Sequence, residues 1–311
     1  MDWQERLAGI GVEIEEHVPI RDLTSFRLGG PAAVVLRPES EEALVATISR
    51  LKEEEVPFHI LGKGTNVVYA DEGFDGALVL LRDNFQDIRV EGHAVYAQAG
   101  ASLRKVAEAA LDASLEGLAF AHGIPGAVGG AVTMNAGAYG GEMKDVIEEV
   151  RVLTHDGEVK TFSGEEMHFR YRRSRVEDDG LIVIEAKFSL QPGDPVKIRE
   201  DMEDLWQRRV DKQPLEYASA GSTFKRPEGY FAGKLIDDAG LRGLRYHDAQ
   251  VSEKHCGFII NRGHATTEEV VHLIETVRKI VYDASGVLLE PEVKVLGKGA
   301  KPSWSCGSSQ D

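Results

Sequence analysis

Residues 117–141 hold eight glycines and no Asp, Glu, Lys or Arg. At this chain's composition, about four acidic side chains would fall in a stretch of that length by chance. Glycines let backbone N–H groups approach a ligand closely, and such groups form anion-binding nests. The stretch therefore suits a diphosphate, although a close-packed Gly/Ala hairpin would have the same composition. An aspartate at Gly129 is expected to weaken retention of such a ligand by charge and bulk. A second small turn, Gly62-Lys63-Gly64-Thr65-Asn66, lacks the third glycine of a dinucleotide fingerprint and the spacing of a Walker loop. In residues 219–227, Ser222 stands close to Lys225 and Arg226. A serine hydroxyl is a poor acid and donates a proton only to a strongly basic carbanion or enolate in an organised, water-poor site. No G-x-S-x-G elbow surrounds it, which argues against a hydrolase nucleophile. Residues 170–175 contain four arginines, able either to hold carboxylate or phosphate or to pair with the following Glu177, Asp178 and Asp179. Glu292 follows a proline and enters an extended segment. The histidines show no metal-binding spacing, so no metal is expected.

Bulk composition narrows the partners. With 311 residues, net charge −16 and pI about 5.1, the chain can bury a sizeable core, and nucleic acid is excluded as the main ligand. Two cysteines and an N-terminus without a basic and apolar leader fit a reducing, cytoplasmic setting. The glycines, Pro125, His122 and Asn135 make the 117–141 stretch unsuited to a membrane span.

The positioning elements follow from periodicity. Ser40, Glu41 and Glu42 open an amphipathic helix through Leu44, Ile48 and Leu51. Strands are expected at 58–61, 67–69, 93–99, 148–154 and 181–190, with a hairpin turn at His155-Asp156-Gly157. Helices are expected at 102–114, at 196–210, and from the capping-box sequence Thr266-Thr267-Glu268-Glu269 to a stop at Ser285-Gly286. Without regular βαβα alternation the class is α+β. The composition break at 191–195 marks the expected boundary between residues 21–190, themselves split near 83, and a second domain at 196–296. Residues 1–20 form an N-terminal segment, and 297–311 a tail expected to be disordered.

Taken in order, these segments resemble the UDP-N-acetylenolpyruvoylglucosamine reductase family. Residues 24–32 (TSFRLGGPA) match its opening motif, Gly62 to Asn66 its small loop, Gly123 to Gly140 its long glycine-rich motif, and Tyr171-Arg172-Arg173-Ser174 its Tyr-Arg-x-Ser. Lys212-Gln213-Pro214, Ala220-Gly221-Ser222 and Phe224-Lys225 match its later motifs. Glu292-Val293-Lys294 departs from the closing Glu-Val-Arg by one cation.

The resemblance implies a two-subdomain FAD-binding module of the vanillyl-alcohol-oxidase type followed by an α+β substrate domain. It implies non-covalent FAD on Gly62, Lys63, Gly64, Thr65, Asn66, Val67, Gly123, Ile124, Pro125, Gly126, Val128, Gly129, Gly130, Asn135, Gly137, Ala138 and Tyr139. NADPH would be the electron donor. Ser222 would protonate C2 of the enolpyruvyl group, while Arg172 and Glu292 stabilise the enolate. Asn66, Tyr171, Lys212, Lys225 and Lys234 would bind the substrate. The protein is expected to be a monomer. The interval from Ser174 to Phe188 is too short for the tyrosine-bearing loop of some members, which leaves the tyrosine that covers the substrate open. The competing expectations are a flavin oxidase or dehydrogenase with covalently attached FAD and a non-enzymatic sugar-nucleotide-binding protein.

Overall fold

The computed structural model describes residues 3–297. Ser40 adopts an extended backbone and its hydroxyl accepts from the Ala43 N–H at 3.1 Å, so the helix Glu41–Glu53 starts where its cap allows and buries Leu44, Ile48 and Leu51. Leu103–Asp112 and Pro195–Lys212 are the next long helices. The helix Thr267–Ser285 opens with the expected capping box, Thr266 and Glu269 each bonding the other's backbone, and closes on Gly286 at φ 72°. Its apolar stripe Val270, Leu273, Ile274, Val277 and Val281 is buried.

The two largest sheets hold half of the strands among the described residues. One has four strands in the order Val12–Pro19, Pro31–Pro38, Phe74–Leu80, Phe58–Leu61, the last two parallel with Phe58 opposite Ala77. The other is an antiparallel five-stranded sheet in the order Val159–Ser163, Ile147–Leu153, Ile182–Ser189, Ala94–Gln98, Ile88–Glu91. The chain leaves the first sheet at Leu80 and enters the second at Ile88. Mixed pairing with interspersed helices makes the class α+β.

The chain divides into two compact units. The first comprises the chain up to Glu15, Val34–Lys63 and Gly76–Arg209; the second comprises Glu16–Ala33, Gly64–Asp75 and the chain from Val210. Each has its own core, one built around residues such as Leu44, Val95, Val150 and Phe188, the other around Phe26, Val68, Ile236, Ile274 and Leu289. This division differs from one drawn on composition. Gln191–Pro192 is a short strand paired with Leu115–Glu116, which ties the proline-glycine break into the first unit. Residues 16–33 group with the C-terminal part, to which side-chain hydrogen bonds tie them: Ser25 Oγ donates to the Ser219 carbonyl at 2.7 Å and Asn261 Nδ2 to the Phe26 carbonyl at 3.3 Å. At the N-terminal end Trp3 and Leu7 are buried in the first core. The tail expected at 297–311 lies outside the described residues beyond Gly297.

Candidate active site

In the first unit, the glycine-rich stretch folds into a short helix, Val128–Thr133, followed by the two-stranded turn Gly137–Ala138 and Gly141–Glu142. The helix lies against the five-stranded sheet: the Gly129 N–H donates to the Ala99 carbonyl at 2.8 Å, and the Ala99 N–H donates to Ile184 at 2.8 Å. A Cβ on Gly129 would stand 3.1 Å from the Ala99 Cβ and 3.3 Å from its carbonyl oxygen, so a side chain here would press on Ala99, which would have to give by a few tenths of an ångström. Gly130 is exposed and a Cβ there would meet nothing within 4 Å. A charge is therefore accommodated at residue 130 and not at 129. The backbone is also less open than composition implies, since the N–H groups of Ile124, Gly126, Val128 and Gly129 already donate to protein carbonyls.

Tyr139 and Gly140, at φ 54° and 92°, make the tight turn between the two short strands, and Tyr139 is 44% exposed. Asn135 is fully buried at φ 44°; its Nδ2 donates to Glu142 at 2.9 Å and to the Arg170 carbonyl at 3.2 Å, and its Oδ1 accepts from the Lys144 N–H at 3.0 Å. Its side chain is therefore committed to the protein, and it serves this region as a strut. Burial alone would raise the Glu142 carboxyl, but the hydrogen bonds from Lys144 and Asn135 and the charges of Lys144 and Arg172 hold it below the usual range.

The arginine cluster separates by role. Arg170 and Arg173 both pair with Asp178, and Arg175 pairs with Asp179, as the bland alternative expected. Arg172 is different. It sits at φ 56° in a turn closed by mutual Arg170 and Arg173 backbone bonds, and its Nη2 reaches the Gly137 carbonyl at 3.4 Å. Buried Ser174 donates to the Thr133 carbonyl at 2.8 Å, so the Tyr-Arg-x-Ser turn is fastened to the end of the short helix. Tyr171, 47% exposed, lies with its ring centroid 4.9 Å from the Arg172 guanidinium.

In the second unit, residues 222–225 run antiparallel to 290–293. Phe224 bridges Pro291, the Glu292 N–H donates to the Thr223 carbonyl at 2.8 Å, and the Lys225 N–H donates to Glu290 at 2.8 Å. Thr223 turns inward, its Oγ1 accepting from the Ile259 N–H at 2.9 Å, which leaves Ser222 exposed and its hydroxyl without a hydrogen bond among the described residues. Asn66 joins this pair: its Nδ2 donates to the Glu292 carbonyl at 3.2 Å and its own carbonyl accepts from the Lys294 N–H at 3.1 Å. Val67 then opens a strand paired in parallel with Lys294–Leu296. Gly64, at φ 60°, is clasped by the opening motif, since a Cβ there would stand 2.6 Å from the Leu23 carbonyl and the Ser25 N–H donates to its oxygen. The structure thus collects Asn66, Ser222 and Glu292, which lie far apart in sequence. Of the expected substrate cations, Lys225 pairs with Glu290, Lys234 with Asp238, and Lys212 is exposed at a helix end.

Residues 31–163 match the FAD binding domain family, and residues 213–296 match the C-terminal domain of UDP-N-acetylenolpyruvoylglucosamine reductase. The reductase of that name from Clostridioides difficile (strain 630) is 46% identical over 92% of this chain and 94% of its own length. The chain belongs to the UDP-N-acetylenolpyruvoylglucosamine reductase family. A second member, from Caldanaerobacter subterraneus subsp. tengcongensis, is 50% identical over 90% of this chain and 92% of its own. The crystal structure of the Thermus caldophilus reductase superposes with a TM-score of 0.79 at 36% identity, covering 91% of this chain and 98% of that one. As a member of this reductase family, the chain is an FAD-dependent oxidoreductase.

The residues of the first unit fit a flavin nucleotide, with an open glycine at 130 beside a fastened arginine turn. Sequence reasoning passed over Ser25 as the clasp of Gly64, and it also passed over Tyr230 and Phe231, which are 49% and 61% exposed, with Arg226 over the Phe231 ring. Two adjacent aromatics in a glycine-bearing polar loop were the available signal. Among the described residues no group of three metal-binding side chains occurs and no helix is long and apolar enough to cross a membrane.

Proposed function

We propose that this chain reduces the enolpyruvyl ether of UDP-N-acetylglucosamine to UDP-N-acetylmuramate at the expense of NADPH, a step of peptidoglycan precursor synthesis, acting as a cytoplasmic monomer. The observation that carries the proposal is the register that pairs Thr223 with Glu292 and so brings the segment carrying exposed Ser222 alongside the one carrying Glu292, with Asn66 bonded to the latter's backbone. FAD held by the loops at 62–67 and 123–139 would supply the hydride chemistry, with NADPH as the electron source and C3 of the enolpyruvyl group as the acceptor. Ser222 then donates its proton to C2, where negative charge has developed. Its hydroxyl has no internal hydrogen bond to break among the described residues, and the bound flavin and substrate would supply the water-poor surroundings that the transfer requires.

Arg172 and Glu292 hold and stabilise the enolate, the guanidinium by charge and the carboxyl by orientation. The fixed turn around Arg172 lowers the cost of placing that cation, because its backbone is already committed. FAD is held by the loops at 62–67 and 123–139. Lys212, Lys225, Lys234, Asn66 and Tyr171 bind the sugar nucleotide, with Lys225 and Lys234 exchanging their present carboxylates for phosphate oxygens. Tyr230, half exposed on the loop that leads to Lys234, is our candidate for the tyrosine that covers it.

The test is an absorption spectrum of the purified protein followed by NADPH oxidation with and without the enolpyruvyl substrate. A flavin spectrum with substrate-dependent oxidation is expected. A colourless protein, or a yellow one whose NADPH oxidation ignores the substrate, overturns the assignment.

A further inference from the structure

Segments of the second unit that lie far apart in sequence are joined there by hydrogen bonds that close into a circuit. The Ser25 N–H donates to the Gly64 carbonyl at 3.0 Å. Farther along the same loop, Asn66 Nδ2 donates to the Glu292 carbonyl at 3.2 Å. The Glu292 N–H donates to the Thr223 carbonyl at 2.8 Å, and at the other end of the Ser222 segment the Ser219 carbonyl accepts from Ser25 Oγ at 2.7 Å. The circuit begins and ends on Ser25.

Ser25 closes it with two different groups. A serine hydroxyl has one hydrogen to give. The 2.7 Å contact with Ser219 has the length of a full O–H···O bond, and the 3.4 Å approach of the same oxygen to the Gly64 carbonyl does not. The side chain is therefore spent on the Ser219 peptide, and Gly64 is left to the backbone N–H.

That peptide is the entry to Ser222. Beyond Ser222, Thr223 is held through its N–H, its carbonyl and its hydroxyl by Gly257, Glu292 and Ile259. Before it, the Ala218 carbonyl accepts from the Asn261 N–H at 2.9 Å, and Ala220 is buried. Between these anchors stands Gly221 at φ 75°, where a Cβ would meet nothing within 4 Å, followed by exposed Ser222. Neither of the two makes a hydrogen bond among the described residues. The direction of the Ser222 hydroxyl is thus set by the peptides at its two ends. Rotation of an unheld Ser219 peptide would pass through Gly221 to Ser222.

We infer that Ser25 is a positioning residue for the proton transfer: by holding the Ser219 carbonyl it aims the Ser222 hydroxyl at the carbon that receives the proton. The inference rests on the proposed role of Ser222 and gives the opening motif a part in that step.

Ser25→Ala, Ser25→Thr, Ser222→Ala and the double variant Ser25→Ala with Ser222→Ala are prepared as FAD-bound holoenzymes. Flavin content is measured first. Stopped-flow absorbance then gives the rate of flavin reduction by NADPH and of reoxidation by the enolpyruvyl ether of UDP-N-acetylglucosamine. Ser25→Ala keeps the backbone bond to Gly64, so flavin content and reduction rate stay at the wild-type level. Reoxidation slows by about 10- to 100-fold, the size that a misplacement on the order of 1 Å costs. Ser25→Thr, which retains a hydroxyl, regains most of that rate. Once Ser222 is already alanine, Ser25→Ala slows reoxidation by less than about twofold, because the two residues act as one unit. Wild-type reoxidation in Ser25→Ala overturns the inference, as does equal slowing of both half-reactions, no recovery in Ser25→Thr, or a full further loss in the double variant. Should Ser25→Ala fail to fold, Ser25→Cys, a weaker donor of similar size, carries the same comparison. A wild-type holoenzyme that the substrate does not reoxidise overturns the function itself, and wild-type reoxidation in Ser222→Ala overturns the role of Ser222, so each failure has its own signature.

Discussion

Ser222 and Thr223 are neighbours in the chain with opposite fates. Thr223 is 3% exposed and its hydroxyl accepts a backbone bond from Ile259, so it holds the loop; Ser222 faces outward. Ser222→Ala should therefore leave the fold and the reduction of flavin by NADPH unchanged, and slow reoxidation by the enolpyruvyl substrate by about 10²–10⁴. Stopped-flow measurement of the two half-reactions checks this, and equal slowing of both would remove the proton-donor role. At this scale much was legible in the sequence. A serine beside two cations marked a candidate donor, and four clustered arginines marked a candidate anion holder. Which arginine was committed elsewhere was not legible, because Asp178 and Asp179 select Arg170, Arg173 and Arg175 through a turn that only the folded backbone defines.

The short helix Val128–Thr133 is the element in which local pattern misled. Six residues with two glycines carry almost no intrinsic helix preference, and the segment holds its shape because Gly129 seats it against Ala99 and Ser174 bonds its last carbonyl. Gly129→Ala should cost about 1–3 kcal/mol, since the new methyl must displace Ala99. Gly130→Asp, by contrast, should change stability by no more than about 0.5 kcal/mol, because it faces open space. If a phosphate lies over this helix, the same aspartate lowers the FAD bound per chain by repulsion. Urea denaturation and flavin content after gel filtration check the pair, and full flavin retention in Gly130→Asp would move the phosphate elsewhere. The long helices were readable because Ser40 and the Thr266 to Glu269 box satisfy their ends from within three residues.

Across the whole molecule, three histidines are held below their ordinary value by burial: His59, His122 and His255. The His255 Nδ1 accepts from the Gly257 N–H at 3.1 Å, an arrangement that requires a neutral ring. With folded values depressed below the unfolded value of about 6.5, the unfolded chain takes up protons first on acidification. This contribution to stability is complete above about pH 6.5 and is lost as pH falls through the folded values. The urea midpoint should fall as pH drops below about 6.5, and less steeply in His255→Asn, which keeps an acceptor for Gly257 without titrating. An identical slope in that variant would assign the acid sensitivity to other groups. The amino-acid sequence by itself determined the α+β class, the capped helices, the family and the chemical types of the candidate residues, because each depends on neighbours a few positions away or on motifs in order. Only the tertiary structure decided that residues 16–33 group with the C-terminal half and that the segments carrying Ser222 and Glu292 pair with each other. Burial and pairing depend on which distant segments share a core, and no local pattern records that.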